Sequence, residues 1–372
     1  MVVLKKSCSI HNDTTFSSSD DGESEITKLT DDLLAEIILK LPLKSMARSM
    51  SVSKNWLAAI SSDDYLRGRL PPQITTVYFP DDAAAAPRFA CAAGDGDGLE
   101  DRDIGFFLPE SAADGGGGGD VVVCDGSNGL LLCRITGGTT PPEFVVADPV
   151  TRRWAAIPSP SSVATLSVLA FDPSTSPDHY RVINFNAWRD GGATVEAYSS
   201  ATRAWASHDA DFGGVPASSL SATTHYHTGV VYILAAEPDC VVCLDATNFT
   251  STVIPLPADQ NSGEGHVTHS GGRLHYVISD GEQLKVWELI DDAFSRQQWR
   301  LKHDVSVGGG GGDEVRFLAM HPENGDVAYT WTPWKVMEYD LRRKRSCRDW
   351  EFWKGERNRV VKTWLVPSSL SC

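Results

Sequence analysis

Two spacings in the chain could bring reactive or metal-ligating side chains together. Cys240 and Cys243 stand three apart, the interval of redox and zinc motifs, while His225 and His227 stand two apart with His266 and His269 further on. On a β-strand, residues three apart face opposite sides, and no second cysteine pair completes a site. The histidines could group as imidazole ligands, but no carboxylate cluster at fixed spacing accompanies them. The expectation is therefore solvated or hydrogen-bonded histidines, with no metal and no cofactor. The glycine runs Gly115 to Gly119 and Gly308 to Gly312 lack the following Lys-Ser/Thr and helix of a phosphate-binding loop, so they read as flexible loops. There is no Gly-x-Ser-x-Gly elbow and no paired-carboxylate signature. The run Arg342, Arg343, Lys344, Arg345 opens a stretch, 342–362, with nine basic and three acidic side chains. It reads either as a nuclear-import or docking patch or as a solvated hairpin between two strands.

The whole chain bounds what such groups can serve. Its 372 residues carry 33 basic and 49 acidic side chains, a net charge of −16. A general nucleic-acid binder needs a cationic face, so nucleic acid is not an expected partner. No apolar run approaches the roughly 18 residues of a membrane helix, and the polar N-terminus lacks the apolar core of a secretory signal. The expected setting is cytosol and/or nucleus, with no membrane partner. The eight cysteines are scattered, which fits free thiols in a reducing compartment.

The elements that must position these groups follow from periodicity. Residues 1–25, rich in Ser, Asp and Thr, read as a disordered tail. From 26 to 70 the pattern is helical: Thr30 can cap, Asp31 and Asp32 suit the positive end of the dipole, and Leu33, Leu34, Ile37, Ile38 and Leu41 recur on one face. Pro42 stops that helix. A second carries Leu43, Met46, Ala47 and Met50, and a third turns Trp56, Leu57 and Ile60 inward. Such a three-helix unit is close to the lower size limit for stability alone. Residues 71–120 read as a linker and an acidic Gly/Ala-rich loop in which the first strands can lie; 81–120 alone carry ten acidic and two basic side chains and read as solvated loop.

Between 121 and 366 short apolar runs alternate with Gly, Pro, Asp and Asn, and a weak repeat emerges. A strand runs into a polar turn around Asp148, Ser199, Asp245, Asp291 and Asp340, at steps of 51, 46, 46 and 49, often with Trp some six positions on. Glycine-led strands precede several copies, as at Gly129, Gly229 and Gly272, and read as turns feeding an inner strand. A period of ~40–50 residues made of four strands marks a β-propeller blade. Five visible copies suggest about six blades, with an irregular β-sandwich as the alternative. The tryptophans, mostly at blade-like positions, are expected to pack between blades. Residues 367–372 form a C-terminal tail.

The fold class expected is thus α+β multidomain, a small three-helix unit followed by a mostly-β, propeller-like domain. Leu29 to Met46, followed by Ser51-Val52-Ser53-Lys54-Asn55-Trp56, resembles an F-box, with Thr30 where Pro is usual and Ser53 where Cys is usual. The stretches Asp125 to Leu131, Ala147 to Trp154, Phe171 to Ser174, Asp178 to Val182 and Leu284 to Leu289 resemble, in their order, the F-box-associated, kelch-like β domain of plant F-box proteins. The resemblance implies a non-catalytic substrate-recognition subunit of an SCF ubiquitin ligase, docked on a Skp-family linker and through it on a cullin, with an unidentified target protein held by the β domain. It makes Leu29, Leu33, Ile37, Leu41, Pro42, Leu43, Val52 and Trp56 the linker-binding residues; helix periodicity alone is equally compatible with an internal core. The other function class is a stand-alone propeller scaffold or carbohydrate-binding module with a non-functional F-box. A propeller enzyme would need a redox metal site that these residues do not assemble.

Overall fold

The computed structural model describes residues 33, 37, 72–80, 88–92, 99–103, 120–136, 143–149, 314–351 and 358–367, and all of 153–308 except 163, 174, 177, 258–262 and 292–296. The chain divides into two compact units, Met1–Leu66 and Arg67–Cys372. In the first, Leu33 and Ile37 are helical. Leu29, Leu41, Pro42, Leu43, Val52 and Trp56 lie outside the described residues, as do the tail and most of both glycine runs. Among the described residues no helix is long and apolar enough to cross a membrane.

The second unit is a β-propeller. Five blades each take four consecutive strands, paired antiparallel in chain order. Before them come β1 (Pro72–Pro80), β2 (Arg88–Ala92) and β3 (Leu99–Asp103). Blade one holds β4 (Asp120–Ser127), β5 (Leu130–Thr136), β6 (Glu143–Asp148) and β7 (Arg153–Ile157). Blade two holds β8 (Leu166–Phe171), β9 (Tyr180–Arg189), β10 (Gly192–Ser199) and β11 (Ala204–Asp211). Blade three is β12 (Leu220–His227), β13 (Val230–Ala236), β14 (Asp239–Asp245) and β15 (Ser251–Pro255). Blade four is β16 (Glu264–Ser270), β17 (Arg273–Ser279), β18 (Gln283–Asp291) and β19 (Gln297–Ser306). Blade five is β20 (Arg316–Met320), β21 (Val327–Thr332), β22 (Lys335–Asp340) and β23 (Arg345–Glu351). A further four-stranded sheet joins the last strand, β24 (Asn358–Pro367), to the first three in the order β24-β1-β2-β3. The first strands β4, β8, β12, β16 and β20 adjoin one another in sequence, and β24 adjoins both β20 and β4, so the innermost strands form a ring.

The repeat in the sequence marks one strand of each blade. Asp148, Ser199, Asp245, Asp291 and Asp340 are the last residues of β6, β10, β14, β18 and β22, the third strand in every blade. At that point the chain must reverse, and a short carboxylate can take the freed amides: Asp245 Oδ1 accepts from Thr247 N at 2.7 Å and Asn248 N at 3.0 Å, and Asp340 Oδ1 accepts from Arg343 N at 2.7 Å. The glycine-led strands are second strands, one place out from the innermost. The two-residue hairpins before them carry positive φ at both positions, Asn128 and Gly129 at 43° and 90°, Thr228 and Gly229 at 42° and 85°. That is the geometry of a type I′ turn, whose second position glycine fills without steric cost.

Middle strands read as continuous apolar runs because each blade is packed on both faces. Consecutive side chains of β14 enter alternate interfaces: Cys240, Val242 and Leu244 join a core with blade two, while Val241 and Cys243 join a core with blade four. Comparable cores lie between blades one and two, around Leu132, Phe144 and Leu169, and between blades four and five, around Val286, Val305 and Phe317. Tryptophan links blades by hydrogen bonds as well as area. Trp205 Nε1 donates to Pro158 O at 2.7 Å, and Trp299 Nε1 donates to Pro255 O at 2.8 Å, each joining an outer strand to the end of the preceding blade. Trp205→Phe and Trp299→Phe should each lower unfolding stability by about 1 kcal/mol and add when combined. Urea unfolding of the single and double variants checks this; a combined loss no larger than either single loss would place the two bonds in one coupled unit.

Two buried carboxylates find partners beyond their own strand. Glu196, on β10, accepts hydrogen bonds from Ser162 Oγ at 3.0 Å, Asn186 Nδ2 at 2.9 Å and Ser161 Oγ, with Ser161 N and Ser162 N adding two more. Burial pushes its carboxyl up, and these donors outweigh burial and hold it below the ordinary carboxylate value. Asp125, on β4, likewise accepts from Leu169 N of β8 at 2.8 Å.

The stretch 71–120, expected as linker and acidic loop able to hold the first strands, does hold β1, β2 and β3, which narrows the solvated-loop reading of 81–120. Residues 81–120, read from their acidity as solvated loop, contain β2 and β3. The ladder Arg88↔Asp103 to Ala92↔Leu99 is a backbone pairing, and β3 is an edge strand, where charged residues are tolerated.

Candidate functional site

Leu33 and Ile37 stand four residues apart, which on a helix brings side chains onto one face. They are 50% and 41% exposed, among the most exposed large apolar side chains of the described residues. Unburied Leu and Ile on one helical face offer apolar area that a partner can remove from water. These are two of the eight linker-binding residues expected from the sequence.

The basic run forms the turn between β22 and β23. Arg342, Arg343 and Lys344 lie in it, Arg345 opens β23, and all four are exposed. Leu341, 1% exposed, anchors the turn beneath them. Arg343 Nε lies 3.7 Å from the Asp340 carboxylate, and Lys344, with φ of 53°, donates to Asp304 O at 3.4 Å. This is the hairpin geometry weighed against a targeting signal. Arg342 and Lys344 rim an open cleft with Lys302, His303 and Asp326. Within it Asp326 Oδ1 accepts from Lys302 Nζ at 3.3 Å and pairs with His303 Nε2 at 3.0 Å. Burial raises the Asp326 carboxyl and these partners more than reverse the rise.

The cysteine pair does not form a site. Cys240 and Cys243 are buried free thiols on opposite faces of β14. Burial pushes the Cys243 thiol up to about 11, so it is protonated and unreactive at neutral pH.

The histidines do gather, in a combination the sequence reading did not isolate. His225 and His227 project from one face of β12, and His269 projects from β16, so three imidazoles meet where the innermost strands of blades three and four adjoin. His225 Nε2 lies 3.0 Å from His269 Nδ1. The His227 and His269 rings stack with centroids 3.8 Å apart, and those of His225 and His269 lie 5.2 Å apart. Tyr232 walls the cluster, 4.9 Å from the His269 ring. Burial pushes the histidines down, His225 to about 3 and His269 to about 2, with neighbouring imidazoles adding to the effect. His227 is lowered by burial and partly restored by Asp172. All three are neutral at physiological pH.

His266 belongs to a different interface. Three residues before His269 on the same strand, it faces the other way, 5.2 Å from the Phe317 ring. The alternation that separates the two cysteines separates these two histidines. The signal that finds the cluster is a His-x-His on one first strand with a third histidine 44 residues on, close to one blade repeat.

Comparison with known proteins places both parts of the chain. The family described as F-box protein At3g26010-like, beta-propeller matches residues 99–358, and the F-box domain matches residues 26–67. Similar Arabidopsis thaliana proteins include F-box protein At5g07610, 25% identical over 324 residues that cover 78% of this chain and 73% of the relative. F-box protein At3g26010 is 26% identical over 348 residues, covering 86% and 78%. An F-box/kelch-repeat protein, At1g15680, is 25% identical over 347 residues, covering 83% and 80%. Among solved structures, one described as a nidogen/laminin complex covers 79% of this chain and 98% of its own, with a TM-score of 0.46 at 11% identity.

Proposed function

The chain belongs to the F-box protein At3g26010-like, beta-propeller family, and from that premise we propose that it is a substrate-recognition adaptor of an SCF-type E3 ubiquitin ligase. The observation that carries the reading is the pairing of an F-box match at 26–67 with a propeller match at 99–358, with Leu33 and Ile37 exposed on the F-box side. In this reading the F-box docks on a Skp-family linker, the linker holds a cullin, and the propeller holds a target protein. The chain performs no chemistry. It acts by proximity, raising the effective concentration of a target beside a ubiquitin-charged partner. The kelch-like subtype is supported by the F-box/kelch-repeat name of one relative. The sheet β24-β1-β2-β3 counts as a sixth, closing blade assembled from both ends of the propeller region. The setting is cytosol and/or nucleus, with the exposed turn Arg342 to Arg345 as the nuclear-import or docking element.

The test is co-expression of the full chain with a Skp-family linker. The expected result is a one-to-one complex that survives gel filtration and recruits a cullin when one is added. A full chain that is folded by circular dichroism yet elutes alone with every Skp-family linker supplied would overturn the adaptor reading.

A further inference from the structure

We propose that His225, His227 and His269 form a binding site for one zinc-type divalent cation, held between blades three and four with a coordination position left open. The donor set carries the proposal. Imidazole nitrogen suits zinc, copper and nickel, and three histidines with a free fourth position is a known zinc arrangement. One ligand nitrogen from each residue lies within 4.8 Å of the others. Ligand nitrogens about 2.0–2.1 Å from a tetrahedral zinc stand roughly 3.3–3.4 Å apart. The 3.0 Å separation of His225 Nε2 and His269 Nδ1 is already close to that, and binding would turn the His227 ring out of its 3.8 Å stack on His269 to bring the third nitrogen, now within 4.8 Å, to the same spacing.

Hydrogen bonding accounts for less of the arrangement. The His225–His269 contact occupies one nitrogen on each ring, and His227 stacks on His269 at 3.8 Å with no hydrogen-bond partner of its own among the described residues. The backbone that presents the rings is firm: β12 pairs with β13 at His225↔Tyr232 and His227↔Val230, and β16 pairs with β17 at His269↔Leu274. Two donors therefore come from one strand at i and i+2, and the third comes from the first strand of the next blade. A cation there would bridge two blades, held by three partly buried imidazoles.

The experiment uses the untagged full chain, stripped with chelator, dialysed and titrated with zinc chloride, with cobalt(II) as the spectroscopic probe. The expected result is one tightly held zinc per chain, retained through gel filtration, and the visible absorption of four-coordinate cobalt. His227→Asn, the least enclosed of the three, should weaken zinc binding by about tenfold or more. His266→Asn, on the opposite face of β16, should leave binding unchanged. If the wild type retains no stoichiometric zinc and gives no four-coordinate cobalt spectrum, the proposal falls, whether or not the variants fold. It falls equally if folded His227→Asn and His225→Asn bind as the wild type does.

Discussion

Ending the chain at residue 357 leaves no cooperatively folded propeller. The truncation removes β24, which lies innermost in its sheet and pairs with β1 at nine register positions from Pro72↔Pro367 to Pro80↔Asn358. At about 0.5–1.5 kcal/mol net for each ladder bond, and with prolines at the ends reducing the number formed, the loss is still several kcal/mol. Two further losses come with it. β24 adjoins β20 on one side and β4 on the other, so its removal opens the ring of inner strands and uncovers faces of two blades. β1 becomes an unpaired edge, a template for association with other chains. Set against the roughly 5–15 kcal/mol that holds a domain together, the sum is enough to abolish the native state. The measurement is soluble yield and the urea transition followed by tryptophan fluorescence. A truncated chain that keeps a single cooperative transition near the wild-type midpoint would show that the five consecutive blades stand without the closing sheet.

The same sheet explains which parts of the fold could be read from the residues. The five blades built of consecutive strands were legible because their third strands end on turn-forming residues at a regular step, and because packing on both faces makes strands such as β13 and β14 apolar runs. The sheet that joins the chain ends has no such signature. Its strands come from opposite ends of the propeller region, and β3, Leu99-Glu100-Asp101-Arg102-Asp103, offers a single apolar residue and no apolar alternation. Its register rests on backbone pairing, which composition does not reveal. The histidine cluster was half legible. The i, i+2 spacing of His225 and His227 put them on one strand face, but only the alignment of blades three and four brings His269 rather than His266 to meet them.

Replacing Leu33 and Ile37 together with Asp is expected to abolish the proposed linker binding while the propeller stays folded. Both side chains are helical and half-exposed in the chain alone, so neither is a fully packed core position whose loss would empty a cavity. Docking would bury the apolar area that remains in water, worth about 1–1.5 kcal/mol for each half-exposed Leu or Ile. An aspartate in its place forfeits that area and must itself be desolvated without a partner, at roughly a further 1–3 kcal/mol. Two such changes exceed about 4 kcal/mol, on the order of a thousandfold in affinity. Titration calorimetry of the full chain against a Skp-family linker reads the effect, and urea unfolding of the same samples shows whether the propeller is intact. Trp154→Asp tests whether any exposed apolar side chain would do: Trp154 is 47% exposed on β7 of the propeller, and its replacement should leave linker affinity unchanged. If the Leu33→Asp, Ile37→Asp chain binds within about threefold of wild type, this helix face is not the docking surface, and the contact must come from the other F-box residues. A loss confined to this pair, with Trp154→Asp silent, assigns linker recognition to the F-box helix and leaves the propeller free to hold a target.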